Sequence, residues 1–207
     1  MKYRMWLLFL LPTVTALSPM VKAEEKEQPI NSGRPGFNET LGIIPTGRIQ
    51  QELGYVFNRD GSTREHELGQ LMLRLGTGRG TELQLGVNSF ALTRGSEGNS
   101  SGIQDSTIGF KVLLAKGIEE FQLFRPAVAL VAGSSMPTGA RGYRESSWQP
   151  QAKLSLGWSF SDRLALSTTM ISTLASQEGR RFMQKAAGVS PAYSMTKRWG
   201  CYAEFIC

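Results

Sequence analysis

The side chains that most often carry out catalysis are scarce in this sequence. It contains one histidine, His66, and two cysteines, Cys201 and Cys207, at the extreme C-terminal end. Histidine-based catalysis would therefore rest on His66 alone, and no nucleophile motif or zinc-type cluster accompanies it. The neighbouring carboxylates Glu119 and Glu120 fall in a predicted turn, where a solvated charge is the ordinary outcome. These residues predict a protein that is not an enzyme and holds neither a metal nor a cofactor.

A glycine-rich stretch, Gly76–Gly80, suggests a phosphate-binding loop at first sight. Such loops need a helix directly after them. Here the residues that follow, from Thr81 onward, alternate between apolar and polar with a period of two. A tight turn between two strands is the better interpretation.

Composition and charge exclude several classes of protein. Hydrophobic residues make up 41% of the 207 residues and charged residues 19%, which fits neither a disordered chain nor a polytopic helical membrane protein. The formal charge is +6, but three basic residues lie in the first 23 positions, which hold no acidic residue. The other 20 basic residues face 17 acidic ones, a surplus too small to predict nucleic-acid binding.

The first 23 residues have the pattern of an export signal. A basic start precedes an apolar stretch from Met5 to about Leu17, and Val21-Lys22-Ala23 places apolar and small residues where signal peptidase reads them. The alternative is a membrane anchor, but polar residues and a proline interrupt the stretch, which is shorter than the roughly 20 residues that a spanning helix needs. We predict cleavage after Ala23 and a polar N-terminal segment over residues 24–45.

The rest of the chain alternates with the period of a β-strand. Between Trp148 and Phe160 the even positions are apolar, and the odd positions are polar or glycine. Side chains of a strand point alternately to opposite faces, so this pattern predicts one apolar and one polar face. Similar patterns predict about nine strands of roughly ten to thirteen residues. They lie near residues 53–57, 71–75, 81–88, 103–114, 122–133, 148–160, 164–175, 182–194 and 199–206.

Three features favour a membrane barrel over a soluble β-sandwich, which also alternates. The predicted strand lengths are similar to the 9–11 residues of a tilted strand that crosses a bilayer. Aromatic residues lie at strand ends, as in the two girdles of an outer-membrane barrel. In the strand predicted over residues 148–160, Trp148 lies at one end, and Trp158 and Phe160 lie at the other. Connections also alternate in length. The predicted short ones are Gly76–Gly80, Lys116–Glu120, Ser161–Arg163 and Thr196–Arg198, and the predicted longer ones are Asn58–Arg64, Arg94–Gly102, Ser134–Ser147 and Ser176–Arg181.

This alternation of turns is typical of bacterial barrels, whose periplasmic turns are short and outer loops long. We therefore predict an all-β fold: an antiparallel, up-and-down transmembrane β-barrel over residues 46–207. Its predicted location is the bacterial outer membrane.

Charged residues occur on the predicted inner faces of the strands. Strand parity places six of them toward the lumen: Glu52, Arg74, Glu82, Asp105, Lys111 and Lys153. One interpretation is a salt-bridge ladder that fills the lumen, and the other is a constriction that selects permeants. Both require the charges to be paired, because an unpaired buried charge is costly.

Several sequence strings resemble one family of proteins. They are RPGF at Arg34–Phe37, GRIQQELG at Gly47–Gly54, LMLRLGTGRGTELQLG at Leu71–Gly86, DSTIGFK at Asp105–Lys111 and RPAVALVAGSSMPTG at Arg125–Gly139. In combination they resemble the outer-membrane "transporter" family labelled meta-pathway of phenol degradation. The resemblance implies a porin-like barrel with a role in the uptake of aromatic or other hydrophobic compounds.

The C-terminal end departs from that family. Members usually continue through several more strands to an aromatic last residue, whereas this sequence ends at Glu204–Cys207. Single-chain bacterial barrels have even strand numbers, and an open edge in lipid leaves backbone groups unsatisfied. We therefore expect an incomplete barrel whose C-terminal strands are missing.

Two functions follow from these expectations. The first is the passive passage of small solutes, among them hydrophobic or aromatic compounds, across the outer membrane. The alternative is a structural or assembly barrel with a plugged, non-conducting lumen, and an outer-membrane enzyme such as a lipase ranks third. The expected partners are the lipid bilayer, a small-molecule permeant and the barrel-assembly machinery, with no nucleic acid.

Overall fold

The computed structural model describes residues 32–33, 37–87, 89–95, 98–118, 121–177, 180–196 and 199–207. No helix in these ranges is long and apolar enough to cross a membrane. The predicted export signal, residues 1–23, and the Glu119–Glu120 pair lie outside the described residues. The regular structure of the described ranges consists of fourteen strands: β1 (Ile49–Glu52), β2 (Tyr55–Asp60), β3 (Thr63–Leu68), β4 (Leu71–Gly78), β5 (Thr81–Val87), β6 (Phe90–Gly95), β7 (Gly98–Ile103), β8 (Ser106–Lys116), β9 (Ala127–Met136), β10 (Gln149–Ser159), β11 (Leu164–Gln177), β12 (Arg180–Ser194), β13 (Gly200–Tyr202) and β14 (Phe205–Ile206).

Two antiparallel sheets share these strands. Ten strands form the main sheet in the order β1-β4-β5-β8-β9-β10-β11-β12-β13, with β14 also paired to β12. Four strands form the second sheet in the order β2-β3-β6-β7. Each strand of the second sheet continues a strand of the main sheet across a break of two residues. The part of the chain that the structure describes therefore makes nine passes, each paired with its neighbours in sequence. The predicted all-β, antiparallel, up-and-down class is confirmed.

Among the described strands, the main sheet is open between its first and last members. In the described part of the chain, β1 pairs only with β4, and β13 and β14 pair only with β12. No ladder joins these two edges among the described residues.

The connections differ from the predicted pattern in two respects. Three of the four longer connections continue as strand, so that only two residues separate β2 from β3, β6 from β7 and β11 from β12. Cross-strand pairing provides hydrogen-bond partners for the backbone N–H and C=O groups of these polar connections, which an irregular loop would leave to solvent. The fourth is a true loop, Pro137–Trp148, which we call the long loop.

The predicted strand from Gln122 begins later, at Ala127. The amide of Arg125 donates to the carbonyl of Gln122 (3.0 Å), which closes a turn before the strand. Pro126 has no amide proton to offer a ladder, so pairing cannot extend backward through it.

The polarity of the main sheet is the reverse of that of a water-soluble protein. Its largest fully buried side chains are polar or charged: Arg74, Lys111, Glu82, Thr169 and Ser155. Large apolar side chains such as Phe110, Leu130 and Met170 are 45%, 37% and 44% exposed. Soluble proteins bury apolar residues and expose charged ones. We call the face with the buried charges the inner face and the apolar one the outer face.

We expect Leu154→Arg to impair assembly in a membrane. Leu154 lies on the outer face between Leu130 and Met170 in the sheet register. An arginine at the midplane of a barrel exterior costs about 2–4 kcal/mol. The measurement is the urea midpoint of refolded protein in lipid vesicles.

Gln151→Arg is the matched control, because Gln151 lies on the inner face of the same strand and is only partly buried. Ser155 is less suitable, since it is 1% exposed. Equal destabilisation by both substitutions would contradict the assignment of the two faces.

Candidate functional site

An irregular stretch before the first strand lies against the inner face of the main sheet. It comprises Phe37–Pro45, and we call it the inner segment. These residues belong to no ladder, so their backbone groups need other partners. Side chains from across the sheet supply them: Arg74 of β4, Glu82 of β5, Lys111 of β8, Thr169 of β11 and Glu204 between β13 and β14. The sheet therefore curves around the segment.

Acidic and hydroxyl side chains accept the amide protons of the inner segment. The amides of Phe37 and Asn38 donate to the two carboxylate oxygens of Glu204, at 2.9 and 3.0 Å. At the other end of the segment, the amide of Ile44 donates to Glu82 Oε2 at 2.9 Å. Between them, the amide of Glu39 donates to Thr169 Oγ1 at 3.1 Å.

Basic side chains donate to the carbonyl groups of the same segment. Lys111 Nζ donates to the carbonyl of Thr40 and, at 3.0 Å, to that of Gly42. Arg74 Nη2 also donates to the carbonyl of Gly42 at 3.0 Å. The inner charges thus take the place of a neighbouring strand for this stretch of backbone.

The charges also pair with one another. Arg74 forms a bidentate pair with Glu82, with Nε–Oε1 and Nη2–Oε2 distances of 2.8 and 2.9 Å. Its third nitrogen, Nη1, lies 3.1 Å from Glu52 Oε1. Glu39 of the inner segment pairs with Lys111 at 3.3 Å and with Lys153 at 3.4 Å.

The amide of Gln84 joins the two groups of charges. It donates to Glu82 Oε1 at 2.8 Å and to Glu39 Oε1 at 3.1 Å. The result is one continuous polar network across five strands, which we call the inner network. Its members are Glu39, Glu52, Arg74, Glu82, Gln84, Lys111 and Lys153.

Five of the six charges that strand parity places inside belong to the inner network. Asp105 does not, because it lies in the break between β7 and β8. Its carboxylate accepts the amides of Gly139 at 2.7 Å and Glu145 at 2.9 Å, and so holds the long loop. Sequence reasoning missed Glu39, which lies in a segment without periodicity. A charge count could not have indicated it, because the six predicted inner charges, with Asp105 among them, were balanced at three acidic and three basic.

Burial by itself raises the pKa of the Glu39 carboxyl, but the ammonium groups of Lys153 and Lys111 outweigh it and hold this pKa below its usual value. Glu39 therefore stays ionised at neutral pH. Its contribution to holding the segment is complete above the unfolded pKa and is lost as the pH falls through the lower folded value.

Glycines of the strands make room for the inner segment. A Cβ atom added at Gly76 would lie 2.1 Å from the carbonyl oxygen of Pro45. One added at Gly157 would lie 2.0 Å from Leu41 Cδ1, and one at Gly188 would lie 2.5 Å from Phe37 Cδ1. Close approach of a backbone is a common reason for glycine inside a strand.

A cavity of about 170 Å³ lies beside Leu41 at the end of the sheet that carries the short turns. Small residues line much of it: Gly117, Ala127, Gly157, Ser167 and Ser190. An apolar cavity of about 150 Å³ can hold one benzene ring. The described residues contain no cluster of His, Cys, Asp or Glu suited to a metal ion.

We expect Gly76→Ala to dislodge the C-terminal end of the inner segment, because the new methyl group would meet backbone atoms of Pro45 and Ile44. The reporter is Ile44→Cys in a background with Cys201→Ser and Cys207→Ser. Ile44 is 6% exposed, so maleimide labelling should be slow in the parent and several-fold faster after Gly76→Ala.

Gly109→Ala is the matched control for this change. It is also an inner-face strand glycine, but its added Cβ would meet nothing closer than 3.5 Å. Equal labelling rates in the two alanine variants would show that the glycine at Gly76 does not position the segment.

Comparison with protein families gives one match. The family model described as "Putative MetA-pathway of phenol degradation" matches residues 32–203, a range that contains the inner segment and all strands through β13. No curated protein and no solved structure matches the chain. Because the family model covers most of the sequence and includes the inner network, the chain belongs to the family described as "Putative MetA-pathway of phenol degradation".

Proposed function

We propose that this protein lies in the bacterial outer membrane as a β-barrel wall and lets small solutes, among them hydrophobic or aromatic compounds, pass along its inner face. The observation that carries the proposal is the reversed polarity of the main sheet. A sheet that buries Arg74, Glu82 and Lys111 and exposes its large apolar side chains is suited to lipid outside and polar groups inside. The export signal at residues 1–23 and insertion by the barrel-assembly machinery are part of this proposal.

Strand dimensions support a membrane-spanning sheet. The eleven residues of β10 extend about 36 Å, and a tilt of 35–45° reduces this to about 25–30 Å, close to the apolar band of such barrels. Aromatic side chains flank the strand, with Trp148 before it and Phe160 after it, 52% and 42% exposed. The ring of Phe160 also stacks on that of Phe121 at a centroid distance of 4.3 Å. Aromatic girdles of this kind mark the two interfaces of a bilayer.

The inner segment sets the width of the passage in this proposal. It occupies the inner face, and its backbone is held by Arg74, Glu82 and Lys111. Solutes would pass beside it or when it moves. The cavity next to Leu41 is large enough for a single aromatic ring, which agrees with the pathway named in the family description.

The second candidate is a structural barrel whose lumen is permanently plugged. The completeness of the inner network favours it, because each of its charges already has a partner of opposite sign. Removing one partner of a buried pair is strongly destabilising, which opposes movement of the segment. The two candidates differ in whether the assembled protein conducts.

Conductance of the full chain in planar lipid bilayers tests the proposal. We expect the wild type to conduct in small steps and Lys111→Met to raise the conductance several-fold. The methionine keeps the side-chain volume but removes the bonds to the carbonyls of Thr40 and Gly42 and the pair with Glu39.

Lys185→Met is the matched control, since Lys185 is exposed on β12, lies outside both the inner network and the lining of the cavity beside Leu41, and should leave the conductance unchanged. Assembled protein that carries no current in the wild type or in Lys111→Met would refute the passage and favour the plugged barrel.

A further expectation concerns aromatic solutes. Phenol added to the bath should lower the current by occupying the cavity beside Leu41, and Ser190→Leu should abolish this block by filling the cavity from β12. Ser194→Leu, at the exposed end of the same strand, should leave the block intact. A phenol block that persists after Ser190→Leu would place the solute elsewhere.

A further inference from the structure

On the outer face of the second sheet, residues paired in register across β2, β3, β6 and β7 form rows, and the polarity of the side chains changes from one row to the next. The row nearest the main sheet is apolar: Tyr55, Leu68, Phe90 and Ile103. The next row is mixed: Phe57, His66, Leu92 and Ser101. The third row is basic and polar: Arg59, Arg64, Arg94 and Asn99.

The three arginines, which we call the arginine row, are neighbours on adjacent strands. Arg59 pairs in register with Arg64, and Arg64 pairs with Arg94. Side chains directly opposite one another in an antiparallel ladder have Cβ atoms about 4.5–5.5 Å apart, and like charges in this position are destabilising. A row of three arginines therefore favours an anionic group that is shared among them.

The described acidic residues nearby do not neutralise this row. Asp60 alternates with Arg59 along β2, and Glu65 and Glu67 alternate with Arg64 along β3, so all three point to the opposite face. All three arginines are exposed, and none forms a salt bridge with a described residue.

The long loop covers the inner face of the second sheet and leaves the outer face free. The hydroxyl of Tyr143 lies 2.7 Å from Ser100 Oγ and 3.3 Å from Thr93 Oγ1. The amide of Ala140 donates to the carbonyl of Ile103 at 2.7 Å. These bonds hold the long loop against the inner face of β6 and β7, and the rows on the outer face remain exposed.

We propose that the arginine row binds phosphate groups of the lipid leaflet around the outer end of the protein. The inference rests on the proposed membrane location. Arg59 follows Tyr55 by four positions along β2, or about 13 Å, so the basic row lies where hydrocarbon gives way to headgroups.

The mixed row between them suits the interface. Tyr55 bonds through its hydroxyl to His66 Nδ1 at 2.8 Å, which gives an apolar ring a polar edge at the boundary. Guanidinium groups bind phosphate in a bidentate manner, which makes arginine the suitable residue for a phosphorylated headgroup.

The test uses the full chain refolded in phosphatidylcholine vesicles, to which lipopolysaccharide is added. The measurement is the temperature at which the folded band is lost on a gel. We expect intact lipopolysaccharide to raise it and dephosphorylated lipopolysaccharide to leave it unchanged. In the variant Arg59→Gln, Arg64→Gln, Arg94→Gln, the lipopolysaccharide concentration for half of the effect should rise on the order of 100-fold.

The matched control removes the same charge at the opposite end of the sheet, with Arg79→Gln, Arg125→Gln and Arg163→Gln, which are all exposed. It should respond as the wild type does. Equal responses of both triple variants, or stabilisation by dephosphorylated lipopolysaccharide, would overturn the phosphate site. If the protein inserts and conducts but lipopolysaccharide does not stabilise it, the phosphate site alone is overturned. If the protein does not insert into the vesicles, the proposed membrane location is overturned as well.

Discussion

The charge pairs around Arg74 are the interaction on which the inner face depends. This guanidinium is 2% exposed and binds Glu82 through two bonds and Glu52 through a third. A buried charge without a partner is far more costly than a paired one, so the three strands that carry these residues must keep their register. Arg74 also bonds to the carbonyl of Gly42, which ties the inner segment to the same constraint.

The inner segment and the inner face are interdependent. The segment brings Glu39 to the ammonium groups of Lys111 and Lys153, and its carbonyls take the remaining donors of Lys111. In return the network satisfies a backbone that has no strand beside it. Glycines at Gly76, Gly157 and Gly188 let the two approach closely. This mutual dependence suits a constriction whose width is set by one short stretch of chain.

The breaks between the two sheets explain where simple alternation fails. In β5 the inner residues are even-numbered, as with Glu82 and Gln84, whereas in β6 the buried Ala91 is odd-numbered. Three of the four breaks, β3 to β4, β5 to β6 and β7 to β8, shift the parity in this way, so a pattern extended across them assigns residues to the wrong face. Asp105 lies at such a break, and it anchors the long loop instead of joining the inner network.

The sequence by itself determined the nine passes, the antiparallel class and the inner position of Glu52, Arg74, Glu82, Lys111 and Lys153. It could do so because successive side chains of a strand point to opposite faces, so the order of apolar and polar residues assigns each residue to a face. Only the tertiary structure decided that Glu39 completes the network, that the inner segment fills the inner face, and that Arg59, Arg64 and Arg94 form one row. These features depend on the register between strands that are distant in sequence and on the path of a segment that has no periodic hydrophobic pattern. Local alternation of apolar and polar residues specifies neither the register nor that path.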